Sequence, residues 1–593
     1  MSDSTIFSAI RKLLALLTAK ERRQIIKIMS FSACISIFEI VTATAVVVLA
    51  QVLNNPETGK KYIFRLGMDA HFSQQKIVLF FALIVGMLYL LKSLFAIGEV
   101  FYQHRSIQKI NYRFKKKLLN RYAQTDYGFY LTRNSSQGFA VVSSDTESSF
   151  TNGMTSLSTI TSESIIFLSL IGMVIYIEPK LAIFIAVVGL MLGWVLNRGL
   201  LPLFYSWGLK LQTLHLMGEK NLFQFFHAFK EIILIGKRES FIDAYHFYSR
   251  KKSKIQALQN VTNILPRIAM ELLFVILFVL SIAYFCLFSH NTEQMVGILS
   301  GYLYVGFRLM PGLNRIITSL NTFKGTIPSI NRMHDEYFHI VEKNQYLDFP
   351  DFQFNHSINI NNVSFSYLNA SRNALNDINL QINKGECIGI TGETGSGKST
   401  LSDMILGLLK PKIGEVSIDK KYPANSLQWH AQIGYVQQAI YLTDDTIRAN
   451  IAFGETENEV DHQRLQNAIN EAQLTSTIQQ LPNGIETIVG ERGLRLSGGE
   501  KQRIAIARAL YRNPHVLIFD ESTSALDNET ESRLIETIEA IRKTKRTIIM
   551  IAHRLTTLKN CDRIIVMHKG KIDKVLTYDE LMLYKKENKT VNI

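Results

Sequence analysis

The chain has 593 residues, of which 47% are hydrophobic, and 65 Lys and Arg against 50 Asp and Glu give a formal net charge of +15. That length allows several domains, and the average hydrophobicity conceals two unlike halves. Four cysteines, Cys34, Cys286, Cys387 and Cys561, show no paired spacing, which argues against both a disulfide scaffold and a cysteine metal site.

In chain order, the first segment is amphipathic. Ile6, Ile10, Leu13, Leu14 and Leu17 recur on one helical face, and no small-residue cleavage site follows. An interfacial helix over residues 1–24 is expected rather than a signal peptide. Six apolar stretches follow, over 25–52, 77–100, 157–177, 181–204, 265–288 and 295–320, each near the length that spans a bilayer. Buried core helices could mimic one or two of them, but not six in series, so residues 25–330 read as a six-span membrane domain. The segment between spans two and three carries Arg105, Lys109, Arg113, Lys115, Lys116, Lys117 and Arg121. That between spans four and five carries Lys230, Lys237, Arg238, Arg250, Lys251, Lys252 and Lys254. Basic excess marks the cytoplasmic side, so the N-terminus and both segments are expected there. Much of the net charge is then membrane orientation, and a nucleic-acid partner is not required to explain it.

Four cations inside the expected spans stand out: Lys92, Arg267, Arg308 and Arg315, the last two on one helical face. Charges there are costly and tend to face a cavity. All four fall in the inner half of the bilayer, where a belt of cations suits a lipid phosphate or pyrophosphate. The alternatives are snorkelling to the inner headgroups and pairing with Glu39, Glu99 or Glu271.

After a join over 331–355, the pattern changes to that of an α/β domain over 356–593. Gly392-Glu393-Thr394-Gly395-Ser396-Gly397-Lys398-Ser399 is a complete G-x-x-x-x-G-K-S, preceded by a buried-strand pattern and followed, from Thr400, by an apolar helix. Its amides wrap phosphates, Lys398 reaches the terminal ones, and the Ser399 hydroxyl suits Mg²⁺. Val516 to Phe519 is a second apolar strand, ending in Asp520 and Glu521. Two carboxylates at a buried strand end call for a metal or a water. Asp520 suits the Mg²⁺ shell and Glu521 the general base. A third strand ends in His553, placed to touch the γ-phosphate. Leu496 to Glu500 reads LSGGE, where Ser497, Gly498, Gly499 and the helix start after them form a second anion site.

The last 240 or so residues resemble the nucleotide-binding domain of an ABC transporter. Tyr367 stands where that family has its adenine-stacking aromatic. Gln438 matches the Q-loop glutamine, which the resemblance assigns to Mg²⁺ and catalysis, although Gln437 replaces the usual proline. Ser524 to Asp527 matches the D-loop, and Glu500 replaces the commoner glutamine of the signature. Thr487 to Gly493 (TIVGERG) is close to the exporter branch, and Tyr130 to Glu147 and Lys230 to Glu239 resemble its cytoplasmic coupling regions. The resemblance implies that the P-loop and Thr400 of one chain bind ATP together with Ser497, Gly498, Gly499 and Glu500 of another, and that the chain is a half-transporter acting as a homodimer.

In the membrane half, Ser36 to Glu39, Arg308 to Ile316 and Pro266-Arg267 with Glu271 resemble bacterial lipid-linked oligosaccharide flippases. That resemblance implies a polyprenyl-pyrophosphate-linked glycan as cargo and the bacterial inner membrane as location; the 54–75 segment is long enough for that family's short external helix, with an ordinary loop as the alternative. Lipid A or phospholipid flipping, drug or peptide export, and an ATP-gated channel or regulator stand as alternatives. The expected fold is thus an α-helical six-span membrane domain of ABC exporter type followed by an α/β P-loop ATPase domain.

Overall fold

The computed structural model describes residues 5–54, 57, 59–60, 62, 73–131, 133, 135–177, 198, 201–288, 292–340, 347–368, 370, 372–490, 493–494, 496–520, 528–552 and 554–589. They divide into two units, Met1–Ala123 with Asn134–Val341, and Gln124–Arg133 with Glu342–Ile593.

The first unit is helical. Thr5 caps α1 (Ile6–Leu16) by accepting from the Ser8 amide, and the helix buries Ala9, Leu13 and Leu16 while Phe7 and Leu14 stay exposed. Lys12 Nζ donates to Asn331 Oδ1 at 3.0 Å and so fixes this helix to α8 (Thr292–His339). Thr18 and Glu21 satisfy each other's backbone amides and start α2 (Ala19–Asn54). At 50 residues, α3 (Gln74–Ala123) is about 75 Å long, far more than the ~30 Å of a hydrocarbon core. It therefore carries its basic end well clear of any bilayer.

Among the described residues, α2 and α3 are long and apolar enough to cross a membrane by length and composition. Three further expected spans fall on α4 (Thr155–Ile177), α7 (Arg238–Phe288) and α8. The stretch expected over 181–204 lies outside the described residues except for 198 and 201–204, and 54–75 lies largely outside them. Between α4 and α7 run α5 (Leu201–His227) and the short α6 (Phe229–Ile235), which Gly236 ends at φ 70°. Helix α5 meets α8 backbone to backbone: a Cβ at Gly208 would collide with the Gly325 carbonyl oxygen. Before α4, residues Val141–Asp145 and Glu147–Met154 wind as π-helix, and the buried Asp145 there accepts from Arg332 and Gln212.

The second unit is built on two sheets. One is antiparallel in the order β2-β1-β4-β5, from β1 (Ser357–Phe365), β2 (Leu375–Asn383), β4 (Ile413–Ile418) and β5 (Tyr422–Pro423). The other runs β10-β9-β3-β8-β7-β6, from β3 (Cys387–Gly392), β6 (Ile433–Val436), β7 (Val516–Asp520), β8 (Thr547–Ile551), β9 (Arg563–His568) and β10 (Lys571–Leu576). All its pairs are parallel except β9 with β10. Apolar strands such as VLIFD and TIIMI form its centre because helices cover one face and the antiparallel sheet with the helix after β3 covers the other, and every residue of β7 and β8 is buried. Ligands of such sheets bind beyond the strands' C-terminal ends, where the P-loop and Asp520 lie. Cys387 and Cys561, far apart in sequence, meet in the core with Sγ atoms 3.8 Å apart and remain free thiols.

Candidate functional site

The loop after β3 is shaped by its glycines. Gly395 and Gly397 adopt φ 81° and 101°, and a Cβ on Gly397 would approach the Ala374 carbonyl oxygen to 2.6 Å. Only glycine takes this path without strain. The turn ends at Gly397, where α9 (Lys398–Ile405) begins with its N-terminus open to the loop. Lys398 Nζ donates to the Gly392 and Glu393 carbonyls at 3.0 and 2.9 Å, which stretches the lysine across the loop mouth. Ser396 Oγ is buried with no hydrogen-bond partner among the described residues, whereas Ser399 is exposed at the start of α9. A cradle of amides, a lysine and an unsatisfied hydroxyl fits a triphosphate with its Mg²⁺.

Tyr367 is tied to the same helix, its hydroxyl 3.0 Å from Thr400 Oγ1. The expected aromatic thus stands against the phosphate loop. Asp520, at the end of β7, is 7% exposed and accepts from the Tyr435 hydroxyl at 3.2 Å through Oδ2. Tyr435 belongs to β6, so one hydrogen bond joins the expected metal carboxylate to the strand that delivers the exposed Gln438. Burial, and then the Asp520 charge, push the Tyr435 hydroxyl up from its usual range. Asp403 on α9 is pushed up to about 6, first by burial and then by the charge of Asp520. The short helix Tyr127–Leu131 belongs to this unit, and burial, then Asp403 and Tyr367, raise the Tyr127 hydroxyl as well. Tyr127, Asp403 and Tyr435 were missed from sequence. The available signal was Asp403 itself, an acid five residues past Lys398 on the helix that the phosphate loop opens.

Ser497 caps α10 (Gly498–Tyr511) in a capping box: its hydroxyl accepts from the Glu500 amide at 3.3 Å, and its own amide donates to the Glu500 carboxylate at 2.7 Å. The reading of Ser497 as an anion site is modified in one respect. One of its donors is already committed to Glu500, leaving the Gly498 and Gly499 amides and the hydroxyl proton to meet an anion. Glu521, His553 and the 524–527 segment lie outside the described residues.

In the first unit, Lys92 Nζ lies 2.6 Å from Glu39 Oε1, with Glu39 only 1% exposed. Arg267 pairs with Glu271 at 2.8 Å, and Arg315 grips both oxygens of Glu163 at 2.6 and 3.1 Å. The side chain of Arg308 is not among those described. Glu163 was not among the carboxylates singled out from the sequence.

Residues 375–524 match the family described as ABC transporter, and residues 26–198 match the ABC transporter transmembrane region. A Bacillus subtilis protein named for multidrug export as an ATP-binding/permease protein is 36% identical over 310 residues, 51% of this chain and 52% of that one. An ATP-dependent lipid A-core flippase of Ralstonia nicotianae is 40% identical over 235 residues, 39% of this chain and 38% of its own length. The chain thus spans about half or less of the curated relatives it matches. A solved structure of a bacterial Atm1-family ABC exporter with ATP bound superimposes with TM-score 0.74 at 24% identity, covering 95% of this chain and 98% of that one. At that identity the likeness speaks for the fold alone. The chain therefore has the fold of an ABC exporter, a helical transmembrane region followed by an ABC ATPase domain.

Proposed function

We propose that this chain hydrolyses ATP and couples hydrolysis to outward movement of an amphipathic lipid with a phosphorylated headgroup, as a homodimer in the bacterial inner membrane with its ATPase domains cytoplasmic. The observation that carries the reading is the P-loop and Asp520 at the C-terminal edge of a buried parallel sheet, in a chain whose residues 26–198 match a transporter's membrane region. The P-loop amides and Lys398 bind the phosphates, Tyr367 takes the adenine, and Ser399, Asp520 and Gln438 hold Mg²⁺. That ion, when bound, neutralises charge on the phosphates. Glu521 accepts the proton of the attacking water as the terminal phosphate leaves ADP, and His553 steadies that phosphate. Ser497, Gly498, Gly499 and Glu500 of the second copy close the site.

For cargo, the expectation is a polyprenyl-pyrophosphate-linked oligosaccharide, and the relatives named lipid A-core flippases favour lipid A as the second reading. Both share a phosphorylated headgroup and lipid tails. In this arrangement Lys92, Arg267 and Arg315 carry carboxylate partners, so an anionic headgroup at this belt has to displace Glu39, Glu271 or Glu163.

Proteoliposomes given lipid-linked oligosaccharide, lipid A or a hydrophobic drug side by side test the reading through ATPase stimulation and headgroup translocation. Stimulation by the drug alone sinks the lipid reading. Glu521→Gln is expected to bind ATP and to lose hydrolysis on the order of 100-fold. Normal turnover in that variant removes Glu521 as the base. Transport that persists when hydrolysis stops would instead favour a gated channel.

A further inference from the structure

The belt cations whose side chains are described, Lys92, Arg267 and Arg315, are matched by carboxylates. Unmatched positive charge gathers instead around a groove of about 490 Å³ between α5 and α7. Its lining is overwhelmingly apolar, from Leu209, Leu214, Ile255 and the methylene stems of Lys210, Lys251 and Lys254, whose charged ends border it. Helix α5 carries no Asp or Glu from 201 to 218, and α7 none from 244 to 270, while Arg250 and Lys252 add to the charge. Glu219, the first acid on α5, is engaged by His215 at 3.2 Å. Among the described residues, none of Lys210, Lys251 and Lys254 forms an ion pair. Lys251 Nζ lies 3.9 Å from the centroid of the Phe247 ring.

The level of the groove matters. Lys210 lies about 9 Å beyond residue 204, and Lys254 about 16 Å before residue 265, at 1.5 Å per residue. Headgroup layers add roughly 5–8 Å on each side of the hydrocarbon. The groove therefore opens at or just below the inner headgroups, and exposed Leu203, Leu258, Val261 and Leu265 run from it toward the membrane. A free anion has no use for that apolar track; an acyl chain does.

We infer that this groove binds the phosphorylated headgroup of an anionic lipid of the inner leaflet, with Lys210, Lys251 and Lys254 on the phosphate oxygens and the acyl chains along the apolar track. It deepens the transport reading, on which its meaning as a loading site rests, because it places the anion outside the span belt. Binding itself is read without nucleotide, so the two stand or fall separately.

The test uses the full-length protein in detergent, with bound phosphatidylglycerol and phosphatidylcholine counted by native mass spectrometry. Each lysine near an anionic surface is worth roughly fivefold in binding. Lys210, Lys251 and Lys254 changed together to Ala should weaken phosphatidylglycerol binding at least tenfold, with phosphatidylcholine weak throughout. A control with the exposed Lys109, Lys116 and Lys237 changed to Ala should bind normally. The same three groove positions changed to Arg should retain binding, and Lys210→Glu alone should reduce it, which keeps the test open should the Ala triple misfold. Equal loss in the control, equal binding of phosphatidylcholine, an unaffected groove triple, or displacement by millimolar glycerol phosphate overturns the inference.

Discussion

Asp403 sits half-buried on the helix after the phosphate loop, in the field of Asp520. Its carboxyl is pushed up to about 6 in the folded, nucleotide-free protein, from an ordinary value of 3.8. The stability it contributes is fully present below about pH 4 and is lost as pH rises through about 6, because the unfolded chain releases the proton first. Asp403→Asn should therefore stabilise the nucleotide-free protein at pH 8 by about 1 kcal/mol, after allowance for solvent screening, and leave it unchanged at pH 4. Thermal unfolding at the two pH values decides it; equal midpoints for variant and parent at pH 8 refute the burial argument. The phosphate loop was legible because its eight residues are contiguous and their spacing is itself the chemistry. The group of Tyr127, Asp403, Tyr435 and Asp520 was not, because four distant stretches supply it, two strands and two helices that only the fold brings together. Ser497 and Glu500 were legible as a pair, since S-x-x-E is a capping-box spacing, but they were read for the anion and not for the cap.

Among the elements, the spans could be read from hydropathy because a bilayer demands length above all else. Partner choice between them was legible only in part, since Glu39 and Glu271 stood out as candidate carboxylates but their matching, and Glu163, did not. Arg315 finds Glu163 on a helix 152 positions away, and Lys92 finds Glu39 across the α2–α3 hairpin. The contact of α5 with α8 is similarly tertiary, a glycine pair that no local pattern marks. Gly208→Ala places a Cβ against a Gly325 carbonyl that cannot turn aside, so the helices must separate, at about 1–3 kcal/mol. Gly86→Ala on α3 meets nothing within 4 Å and should be neutral or stabilising by up to about 1 kcal/mol. Unfolding midpoints in one detergent give the comparison directly: a fall for Gly208→Ala beside no fall for Gly86→Ala is expected. Equal behaviour of the two means that α5 and α8 have slack at this crossing.

At the scale of the molecule, the capping box and the phosphate loop stand on one sheet-based unit, yet in the proposed dimer they act on different nucleotides. Lys398→Ala removes the loop's cation and leaves α10 with its cap intact, so it spoils binding on its own chain and can still serve a partner. Ser497→Arg does the reverse, filling the space before the α10 N-terminus and leaving the loop untouched. Each variant alone makes dimers in which both sites are damaged. In a mixed dimer one site has lost both groups, and the other joins an intact loop from one chain to an intact signature from its partner. Co-expressing the two with different affinity tags and isolating the doubly tagged species should recover ATPase activity well above either homodimer, approaching half that of the parent. If hydrolysis were completed within one chain, the mixed dimer would be as inactive as its components. The same preparation tests coupling, since one intact site is enough to ask whether a phosphorylated lipid still stimulates turnover.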